Sequence, residues 1–496
     1  MKVLVTGGTG VIGAGLIPAL IEAGHTVRLL SRGAEEDARR WPEGVEPFRA
    51  DVTDPDALAG ACDGCDAVVH VTGIVEEHPP EITFERVNVE GTSAILEEAA
   101  RAGVGTFVYV SSLGADRGAS EYHRSKLRAE ELVAGFDGDW IVVRPGNVYG
   151  PGDDVISTLL KMVRTLPAVP VIDIGTQRFQ PIWYEDLGAA IARAVSMPEL
   201  RTQTLEVTGA ETVTTNDVLD KLAVITDRTF VRAPVPSTLA ALGAVIAGAL
   251  GISLPINESK LTMLLEENII ADGGENALTR VFGITPTTLD DGLRRLADAL
   301  PEQLAEDGFG SMDRKRYWAD IAGSRHDATA LLELFRANIT DVMPIEFEAE
   351  PGAATVVEMG ATMTAALPMR GNIQIRVVES TDRHVTFATV EGHPLAGVVR
   401  FGTGETGDRV RFEVTVYARA ANAFDWLVMN TVGAVMQDAN WVAVVEAMVE
   451  RSGGAAVDGV QQEKTTLDDS EKVEEWIKDL IAATPPPAPT PRTGSE

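Results

Sequence analysis

The sequence predicts an α/β protein in which a doubly wound parallel sheet with a small substrate lobe is followed by an α+β domain. Short apolar runs alternate with longer helical patterns over residues 1–150, which is the order of successive βαβ units. A glycine-rich stretch separates the first of these runs from the first helical pattern. Near the other end, several strand patterns precede a long helical pattern at 426–450, an order typical of an α+β domain.

The individual elements follow from the spacing of apolar residues. Short β-branched or alternating runs predict strands in the first domain, at 2–6, 26–30, 46–49, 67–71, 106–110 and 140–143. Helical spacing predicts helices between and after them, at 11–23, 92–102 and 293–304. In the second domain, the same patterns predict a helix at 325–345 and strands at 355–365, 373–378, 385–390, 396–401 and 410–417.

At 496 residues the chain is too long for one ordinary hydrophobic core, so we expect at least two domains. The first, with its substrate lobe, is expected at 1–305, and a polar stretch suggests a linker at 306–324. The α+β domain is expected at 325–455. Residues 456–496 should contain a further linker, a short amphipathic helix at 471–483 and a disordered Pro-rich end.

Charge and composition exclude some partners. The net charge of −32 disfavours nucleic acid and anionic membranes, because both repel an acidic surface. The uncharged stretch Val235–Ile256 contains several glycines and prolines, so a buried helix or apolar flap is favoured over a membrane span. The chain opens directly with a strand, which favours a cytoplasmic location. The pair Cys62 and Cys65 stands alone, so no metal site is expected. The oligomeric state stays open.

The glycine-rich stretch Thr6–Gly13 has the order that dinucleotide binding requires. Glycines permit a tight turn after the strand and let a pyrophosphate approach the backbone. The following helix then presents free N–H groups and the positive end of its dipole to the phosphates. We therefore expect a Rossmann-type sheet with a nucleotide at the end of its first strand.

A second group of residues points to proton transfer. Ser111 and Ser112 close the fifth predicted strand, and Tyr122 and Lys126 follow on a helix, where positions i and i+4 share a face. A tyrosine with a pKa near 10 is a poor base at neutral pH, and a nearby ammonium group lowers that pKa. Tyr122 could then exchange a proton with a substrate oxygen that a serine hydroxyl holds.

Together these motifs resemble the short-chain dehydrogenase/reductase superfamily, in its extended or atypical branch. The resemblance implies that the catalytic residues are Ser112, Tyr122 and Lys126 and that Asn88 braces the site. It also implies that Asn147, in the loop Arg144–Asp153, faces the substrate. The cofactor contacts that it implies are Gly7, Thr9, Gly10, Val11, Ile12, Gly13, Ser31, Arg32, Asp51, Val52, Val71, Thr72, Gly73, Tyr122, Lys126, Pro145 and Gly146.

The end of the second strand indicates which nicotinamide cofactor is preferred. An NAD enzyme usually has an acidic residue there for the ribose 2′-hydroxyl. Ser31 and Arg32 supply a hydroxyl and a cation instead, which suit a 2′-phosphate, so NADP(H) is favoured over NAD(H). His70, at the end of the fourth strand, is expected to pack beside the cofactor rather than to take part in catalysis.

The C-terminal domain weakly resembles a bacterial family of unknown function with START-like character. The resemblance lies in Val390–Gly397 and the strand that follows it. It implies a sheet wrapped around a long helix that encloses an apolar ligand. Ligand binding and a purely structural or partner-docking role both stay open.

Three functions fit these features. The first is NADP(H)-dependent interconversion of a carbonyl and an alcohol on a small, apolar substrate. The second is epimerisation or dehydration of a sugar nucleotide, although no basic cluster follows Asn147 to hold a pyrophosphate. The third is a non-catalytic binding or assembly protein with a structural NADP, which the intact Ser112, Tyr122 and Lys126 disfavour.

Overall fold

The computed structural model describes residues 1–484 except for 39–40, 42, 239–261, 263–264, 272, 348, 368–370, 423–424 and 427–433. Most of the uncharged stretch Val235–Ile256 and the Pro-rich end beyond Thr484 therefore lie outside the described residues. Among the helices that are described, none has the length and apolar content needed to cross a membrane.

The N-terminal part alternates strands and helices as expected. Its strands are β1 (Lys2–Thr6), β2 (Thr26–Ser31), β3 (Val45–Arg49), β4 (Ala67–His70), β5 (Thr106–Val110), β6 (Asp139–Pro145), β7 (Asn147–Tyr149), β8 (Ala168–Ile172), β9 (Arg178–Phe179), β10 (Pro181–Trp183), β11 (Gln203–Val207), β12 (Val213–Thr214) and β13 (Val231–Val235). Its helices are α1 (Val11–Glu22), α2 (Ala34–Asp37), a π-helix (Glu85–Glu90), α3 (Gly91–Ala102), α4 (Glu121–Ala134), α5 (Ile156–Thr165), α6 (Tyr184–Val195), a 3₁₀ turn (Pro198–Leu200), α7 (Thr215–Ile225), α8 (Ala277–Arg280) and α9 (Leu289–Asp298).

Seven of these strands form a parallel sheet in the order β3-β2-β1-β4-β5-β6-β11. The predicted doubly wound Rossmann-type fold is confirmed. The order reverses between β1 and β4, and in such sheets a ligand binds outside the carboxyl ends of the strands at this point.

Alternate residues of the central strands pack on opposite faces of this sheet. Val3 and Val5 belong to one buried cluster with α1 and α6, and Leu4 belongs to another with α3 and α4. All three side chains have no exposed surface. Because both faces are covered, the strands read as continuous apolar runs, which explains why the sequence pattern was clear.

The C-terminal part is an antiparallel sheet with helices. Its strands are β14 (Phe309–Ala322), β15 (Glu346–Phe347), β16 (Thr362–Leu367), β17 (Gly371–Ser380), β18 (His384–Thr389), β19 (Leu395–Thr406), β20 (Arg409–Ala420), β21 (Ala455–Ala456) and β22 (Gln461–Thr466). Its helices are a 3₁₀ turn (Ala305–Asp307), α10 (Ala328–Ala337), α11 (Ile339–Val342), α12 (Ala434–Ser452) and α13 (Glu471–Ala483). The sheet order is β15-β16-β17-β18-β19-β20-β14-β21, with β22 also paired to β14.

One face of this second sheet is filled by aromatic side chains. Phe335 of α10 stacks on Phe401 with ring centroids 4.4 Å apart, and Phe387 meets Phe401 edge-on at 5.7 Å. Val444 and Met448 of α12 belong to the same buried cluster. The predicted α+β class is confirmed, whereas ligand binding by this domain stays a prediction.

Two expected linkers are wrong. Residues 309–322 form β14, which lies between β20 and β22 in the sheet. The charges that made this stretch read as a linker pair with charges on the neighbouring strand, as in Arg316 with Glu413 at 2.9 Å and Asp320 with Arg411 at 2.8 Å. Within 456–496, residues 461–466 form β22 rather than a linker, while the helix expected at 471–483 is confirmed as α13.

The chain divides into two units whose boundary differs from the expected one at residue 305. The first unit is Met1–Thr158, Ala168–Lys221 and Val231–Leu293, and the second is Leu159–Pro167, Leu222–Phe230 and Arg294–Glu496. The second unit thus includes two short segments, Leu159–Pro167 and Leu222–Phe230, that come well before residue 305 in the sequence. Within it, Arg164 pairs with Glu350 at 2.8 Å, and both side chains are buried.

Candidate active site

The turn between β1 and α1 has the shape of a phosphate cradle. Gly7 has φ 70°, and a Cβ there would lie 2.7 Å from the backbone nitrogen of Thr72. A Cβ on Gly13 would lie 2.1 Å from the carbonyl oxygen of Gly8. Only glycine fits at either position, so the turn is tight and the loop after β4 packs directly against it.

The start of α1 is suited to an anion. Helix α1 begins after Gly10, none of the described side chains caps its N-terminus, and its first turn contains no acidic residue. A Cβ on Gly10 would approach only the carbonyl oxygen of Gly7, at 3.7 Å, so the backbone is open on that side. Free N–H groups and the positive end of the helix dipole therefore fit the pyrophosphate of a dinucleotide. Thr9 and Gly10 are exposed here, and Val11 and Ile12 are half-buried.

Two residues at the end of β2, Ser31 and Arg32, have surroundings that would suit a phosphate group of the nucleotide. The hydroxyl of Ser31 is buried and has no hydrogen-bond partner among the described residues. Arg32 is exposed, and the described part of the chain offers it no ion pair. A buried unpaired hydroxyl beside an exposed cation would suit a phosphate group.

Asp51 and Val52, which the family resemblance places against the adenine of the cofactor, have a visible structural role. Asp51 Oδ1 accepts hydrogen bonds from the N–H and the hydroxyl of Thr53, both at 2.9 Å. Val52 is buried in the core cluster beneath the sheet. These contacts shape the turn after β3, and a contact with adenine stays a prediction.

Ser112 is close enough to Tyr122 to influence the pKa of its phenol. Burial raises the pKa of Tyr122, and a hydrogen bond with Ser112 lowers it. Ser111 is engaged elsewhere, since its hydroxyl donates to the buried carboxylate of Glu130. The geometry thus favours Ser112 over Ser111 as the partner of the tyrosine.

Lys126 lies one turn beyond Tyr122 on α4 and is 3% exposed. Its Nζ donates a hydrogen bond to the carbonyl oxygen of Val110 at 2.8 Å and lies 4.6 Å from the ring centroid of Tyr109. Burial lowers the pKa of Lys126 to about 7, although the nearby carboxylate of Glu130 raises it. The ammonium group is therefore only partly protonated at neutral pH.

This differs from the expected effect of Lys126 on the tyrosine. The sequence suggested that the ammonium lowers the pKa of Tyr122, but burial is the dominant influence and raises that pKa. The reason is that the phenol of Tyr122 is itself buried, and removal from water disfavours the charged phenolate.

The loop after β4 passes over Lys126. A Cβ on Gly73 would lie 3.2 Å from Lys126 Nζ and 3.3 Å from Asn88 Oδ1. Gly73, one of the predicted cofactor contacts, therefore lies next to Lys126. This arrangement fits a ribose between the loop and the ammonium group.

Asn88 braces this region, as expected. Its Oδ1 accepts from the N–H of Ile74 at 2.8 Å, and its Nδ2 donates to the hydroxyl of Ser125 at 2.9 Å. Asn88 lies on the π-helix, an irregular helix form that is frequent at functional sites. It therefore ties the loop after β4 to the helix that carries Tyr122.

His70 is a packed structural residue. Its ring nitrogens lie 2.7 Å from the hydroxyl of Thr6 and 3.1 Å from that of Thr92. Burial lowers the pKa of His70 to about 3, so the ring is neutral at physiological pH. Both nitrogens are engaged, which leaves no free position for acid–base chemistry.

The cysteines are unsuited to a metal or to redox work. Both are free and buried. Burial raises the pKa of the Cys62 thiol to about 12 and also raises that of Cys65. A protonated thiol is a poor ligand and a poor nucleophile. In the described ranges, no group of three or more His, Cys, Asp and Glu side chains could hold a metal ion.

A buried charge network behind the site was missed from sequence. Glu130 accepts hydrogen bonds from the Arg144 guanidinium at 2.9 and 2.6 Å, and Arg144 also pairs with Asp116 at 2.5 Å. The network joins the ends of β5 and β6 to α4. One sequence feature could have indicated the position of Glu130 in this network, because Glu130 stands four residues after Lys126 on the same helix face.

The loop after β6 is held by several backbone contacts. The carbonyl oxygen of Pro145 accepts from the N–H of Leu113 at 2.9 Å, and the N–H of Gly146 donates to Val207 at 3.0 Å. A Cβ on Gly146 would lie 2.2 Å from the carbonyl oxygen of Gln180. Asn147 Oδ1 accepts from Asn268 Nδ2 at 2.7 Å. The role of Asn268 was not anticipated from the sequence.

Comparison with known proteins agrees with this geometry. Residues 3–206 match the NAD dependent epimerase/dehydratase family, and residues 303–447 match a domain of unknown function, DUF1990. The match to the NAD dependent epimerase/dehydratase family over residues 3–206 supports a nicotinamide cofactor. Both resemblances drawn from the motifs are confirmed at this level.

Individual relatives match only part of the chain. It is 34% identical over 199 residues to the ceramide reductase of Caulobacter vibrioides, covering 40% of this chain and 62% of the relative. It is 35% identical over 183 residues to the 3 beta-hydroxysteroid dehydrogenase/Delta 5-->4-isomerase of Mycobacterium tuberculosis, covering 31% of this chain and 49% of the relative. The chain thus spans less than two thirds of the length of these curated relatives.

Among solved structures, the UDP-glucose 4-epimerase of Thermus thermophilus in complex with NAD is similar. The TM-score is 0.47 and the identity 23%, with 60% of this chain and 98% of that chain covered.

Proposed function

We propose that this protein is an NADP(H)-dependent oxidoreductase that interconverts a carbonyl and an alcohol on a small, largely apolar substrate. The observation that carries the proposal is that the buried Lys126, one helical turn from Tyr122, lies 3.2 Å from where a Cβ on Gly73 would stand, in the loop that packs against the phosphate cradle. These side chains follow the carboxyl end of β5, in the same sheet whose β1 end carries the phosphate cradle. Ligands of such sheets bind along this edge.

Each side chain has a role that its surroundings support. NADP(H), when bound, supplies or accepts the hydride. Tyr122 donates its phenolic proton to the carbonyl oxygen during reduction and accepts a proton from the alcohol during oxidation. The Ser112 hydroxyl orients that oxygen. Lys126, with a pKa of about 7, binds the ribose hydroxyls.

The preference for NADP(H) over NAD(H) rests on the end of β2. The unpaired Ser31 hydroxyl and the exposed Arg32 offer a donor and a cation to the 2′-phosphate. An acidic side chain, which would suit the free 2′-hydroxyl of NAD, does not stand at either position.

The names of the relatives support an apolar substrate with a hydroxyl or carbonyl group. One relative is named a reductase of ceramide and the other a dehydrogenase of 3 beta-hydroxysteroids. We extend only this chemical class to the present protein.

Replacement of Tyr122 with phenylalanine tests the proposal. The variant removes one oxygen and keeps the ring, so NADP(H) affinity should change little. Turnover of a ketone should fall roughly 10²–10⁴-fold, because proton transfer by a positioned side chain contributes that much. The measurement is NADPH oxidation with a panel of aliphatic and steroidal ketones, together with cofactor titration.

Tyr417→Phe, in the second unit, is the matched control and should keep wild-type activity. Full activity in Tyr122→Phe would remove the mechanism. Absence of turnover in wild-type protein on every ketone, together with tight NADP(H) binding, would instead favour the non-catalytic alternative.

A further inference from the structure

The residue that directly follows Tyr122 is buried against the turn that comes after Ser112. His123 is 4% exposed. A Cβ on Gly118 would lie 2.1 Å from His123 Nδ1, and a Cβ on Gly114 would lie 2.6 Å from its Nε2. Neither position leaves room for a side chain, so the imidazole ring packs directly against the glycine backbone. The ring therefore joins the helix that carries Tyr122 to the turn that follows Ser112.

A carboxylate from a distant part of the chain holds this ring. Glu266, 143 positions after His123, places its Oε2 2.6 Å from His123 Nδ1. Because a carboxylate only accepts hydrogen bonds, Nδ1 carries a proton in this contact. The contact therefore sets both the tautomer and the orientation of the ring.

The other oxygen of Glu266 holds the backbone that leads into α4. Glu266 Oε1 accepts from the N–H groups of Ala119 and Ser120, at 2.6 and 3.0 Å. Ser120 is the N-cap of α4, and its hydroxyl accepts from the N–H of His123 at 3.2 Å and lies 2.9 Å from His123 Nδ1. One carboxylate thus fixes the backbone before the helix and a side chain in its first turn.

Tyr122 stands between the residues that Glu266 holds. Ser120 comes two positions before it and His123 one position after it, and the rings of Tyr122 and His123 lie 5.2 Å apart. The backbone of a helical turn sets the direction in which its side chains leave the helix. A misplacement of about 1 Å at a reacting group can lower the rate about 10²-fold. Loss of the Glu266 contacts should therefore be felt at the phenol.

We propose that Glu266 is a positioning residue for Tyr122, which fixes the first turn of α4 and so holds the phenol in the orientation needed for proton transfer. This inference rests on the proposed function, because it gives Glu266 a role only through Tyr122. Glu266 itself exchanges no proton with the substrate.

The experiment measures kcat and KM of Glu266→Ala in the full-length protein, with NADPH and the panel of aliphatic and steroidal ketones. The kcat should fall roughly 10–10²-fold. The affinity for NADP(H) and the KM for the ketone should stay within about threefold of wild type, because none of the described hydrogen bonds of Glu266 reaches the phosphate cradle.

A double-mutant cycle separates positioning from support of the fold. When Tyr122 is already replaced with phenylalanine, the hydroxyl that Glu266 positions is gone, and Glu266→Ala should lower the residual kcat by less than about threefold. A residue that only supports the fold would lower kcat by the same factor in both backgrounds.

A conservative variant supplies a second readout. Glu266→Gln keeps the size of the side chain and an acceptor oxygen for the N–H groups of Ala119 and Ser120, so its kcat should stay within about threefold of wild type. Where the residual turnover of Tyr122→Phe lies below detection, this rescue decides alone.

Two further variants guard against disturbance of the fold. Glu267→Gln, on the exposed neighbour that pairs with Arg178 at 2.8 Å, is the control and should behave as wild type. If Glu266→Ala does not fold, Glu266→Asp takes its place. It keeps the charge, but its carboxylate is one methylene closer to the backbone and cannot hold both contacts, so kcat should fall roughly 3–30-fold.

Three results would overturn the inference: wild-type kcat in Glu266→Ala, equal losses of kcat in the two backgrounds, or a Glu266→Gln variant as slow as Glu266→Ala. Each leaves the proposed function intact as long as Tyr122→Phe is slow. Full activity in Tyr122→Phe, or no turnover of any ketone by wild-type protein, would instead remove the proposed function, and this inference with it.

Discussion

Replacing Lys126 with methionine removes a buried ammonium group and should make the protein more stable at pH 6. Burial lowers the pKa of this lysine from 10.5 to about 7. A difference of about 3.5 pKa units, at about 1.4 kcal/mol each, corresponds to about 5 kcal/mol. This is the penalty for folding with the protonated lysine inside, and it applies fully below pH 7.

The sign follows from proton binding in the two states. Between about pH 7 and 10.5 the unfolded chain binds a proton on Lys126 that the folded chain lacks, so wild-type stability rises with pH over this range. The methionine variant lacks this rise. It also loses the hydrogen bond to Val110 and the contact with the Tyr109 ring, which together offset about 1–3 kcal/mol. We therefore expect Lys126→Met to be about 2–4 kcal/mol more stable than wild type at pH 6, with the difference near zero by about pH 9.5.

The assay is urea unfolding followed by circular dichroism at pH 6, 8 and 9.5. NADP(H) stabilises the unit that binds it, so the transition of the first unit is the one that moves to higher urea concentration when cofactor is added. Arg124→Met, which removes a half-exposed cation from the same helix, is the control and should change stability by less than about 1 kcal/mol at every pH. A Lys126→Met variant that is less stable than wild type at pH 6, or a difference independent of pH, would refute the reasoning.

Two other changes test the cofactor preference and the second unit. Arg32→Ala should weaken NADP(H) binding by about 1.5–3 kcal/mol, or roughly 10- to 100-fold, and leave NAD(H) binding unchanged when both cofactors are titrated. Equal wild-type affinities for the two cofactors would contradict the assignment. Glu350→Gln should destabilise the second unit by about 3–5 kcal/mol in urea unfolding, because Arg164 would stay buried without its charge partner. Glu405→Gln, in an exposed pair with Arg383, should cost less than about 1 kcal/mol, and similar losses in both variants would argue against the buried pair.

Local sequence by itself determined the parallel sheet and the arrangement of its glycine-rich turn. Strands buried on both faces read as continuous apolar runs, so β1, β2, β4 and β5 were predicted to within a residue or two. The turn after β1 was recognisable because its glycines have short-range causes, a positive φ at Gly7 and a close backbone approach at Gly13. The sequence predicts that Tyr122 and Lys126 lie on one face of a helix, because residues four positions apart on a helix share a face.

Only the tertiary structure decided the features that depend on distant partners. Strand β14 reads as a polar linker because its charges are balanced by residues about a hundred positions away, such as Glu413 for Arg316. The pKa of Lys126 depends on how much protein surrounds it, which no local pattern encodes. Asn268 stands in a stretch without a motif, and its contact with Asn147, 121 positions away, exists only because the fold brings the two residues together. The spacing of residues along the chain determines local geometry, whereas burial and pairing are set by parts of the chain that meet only after folding.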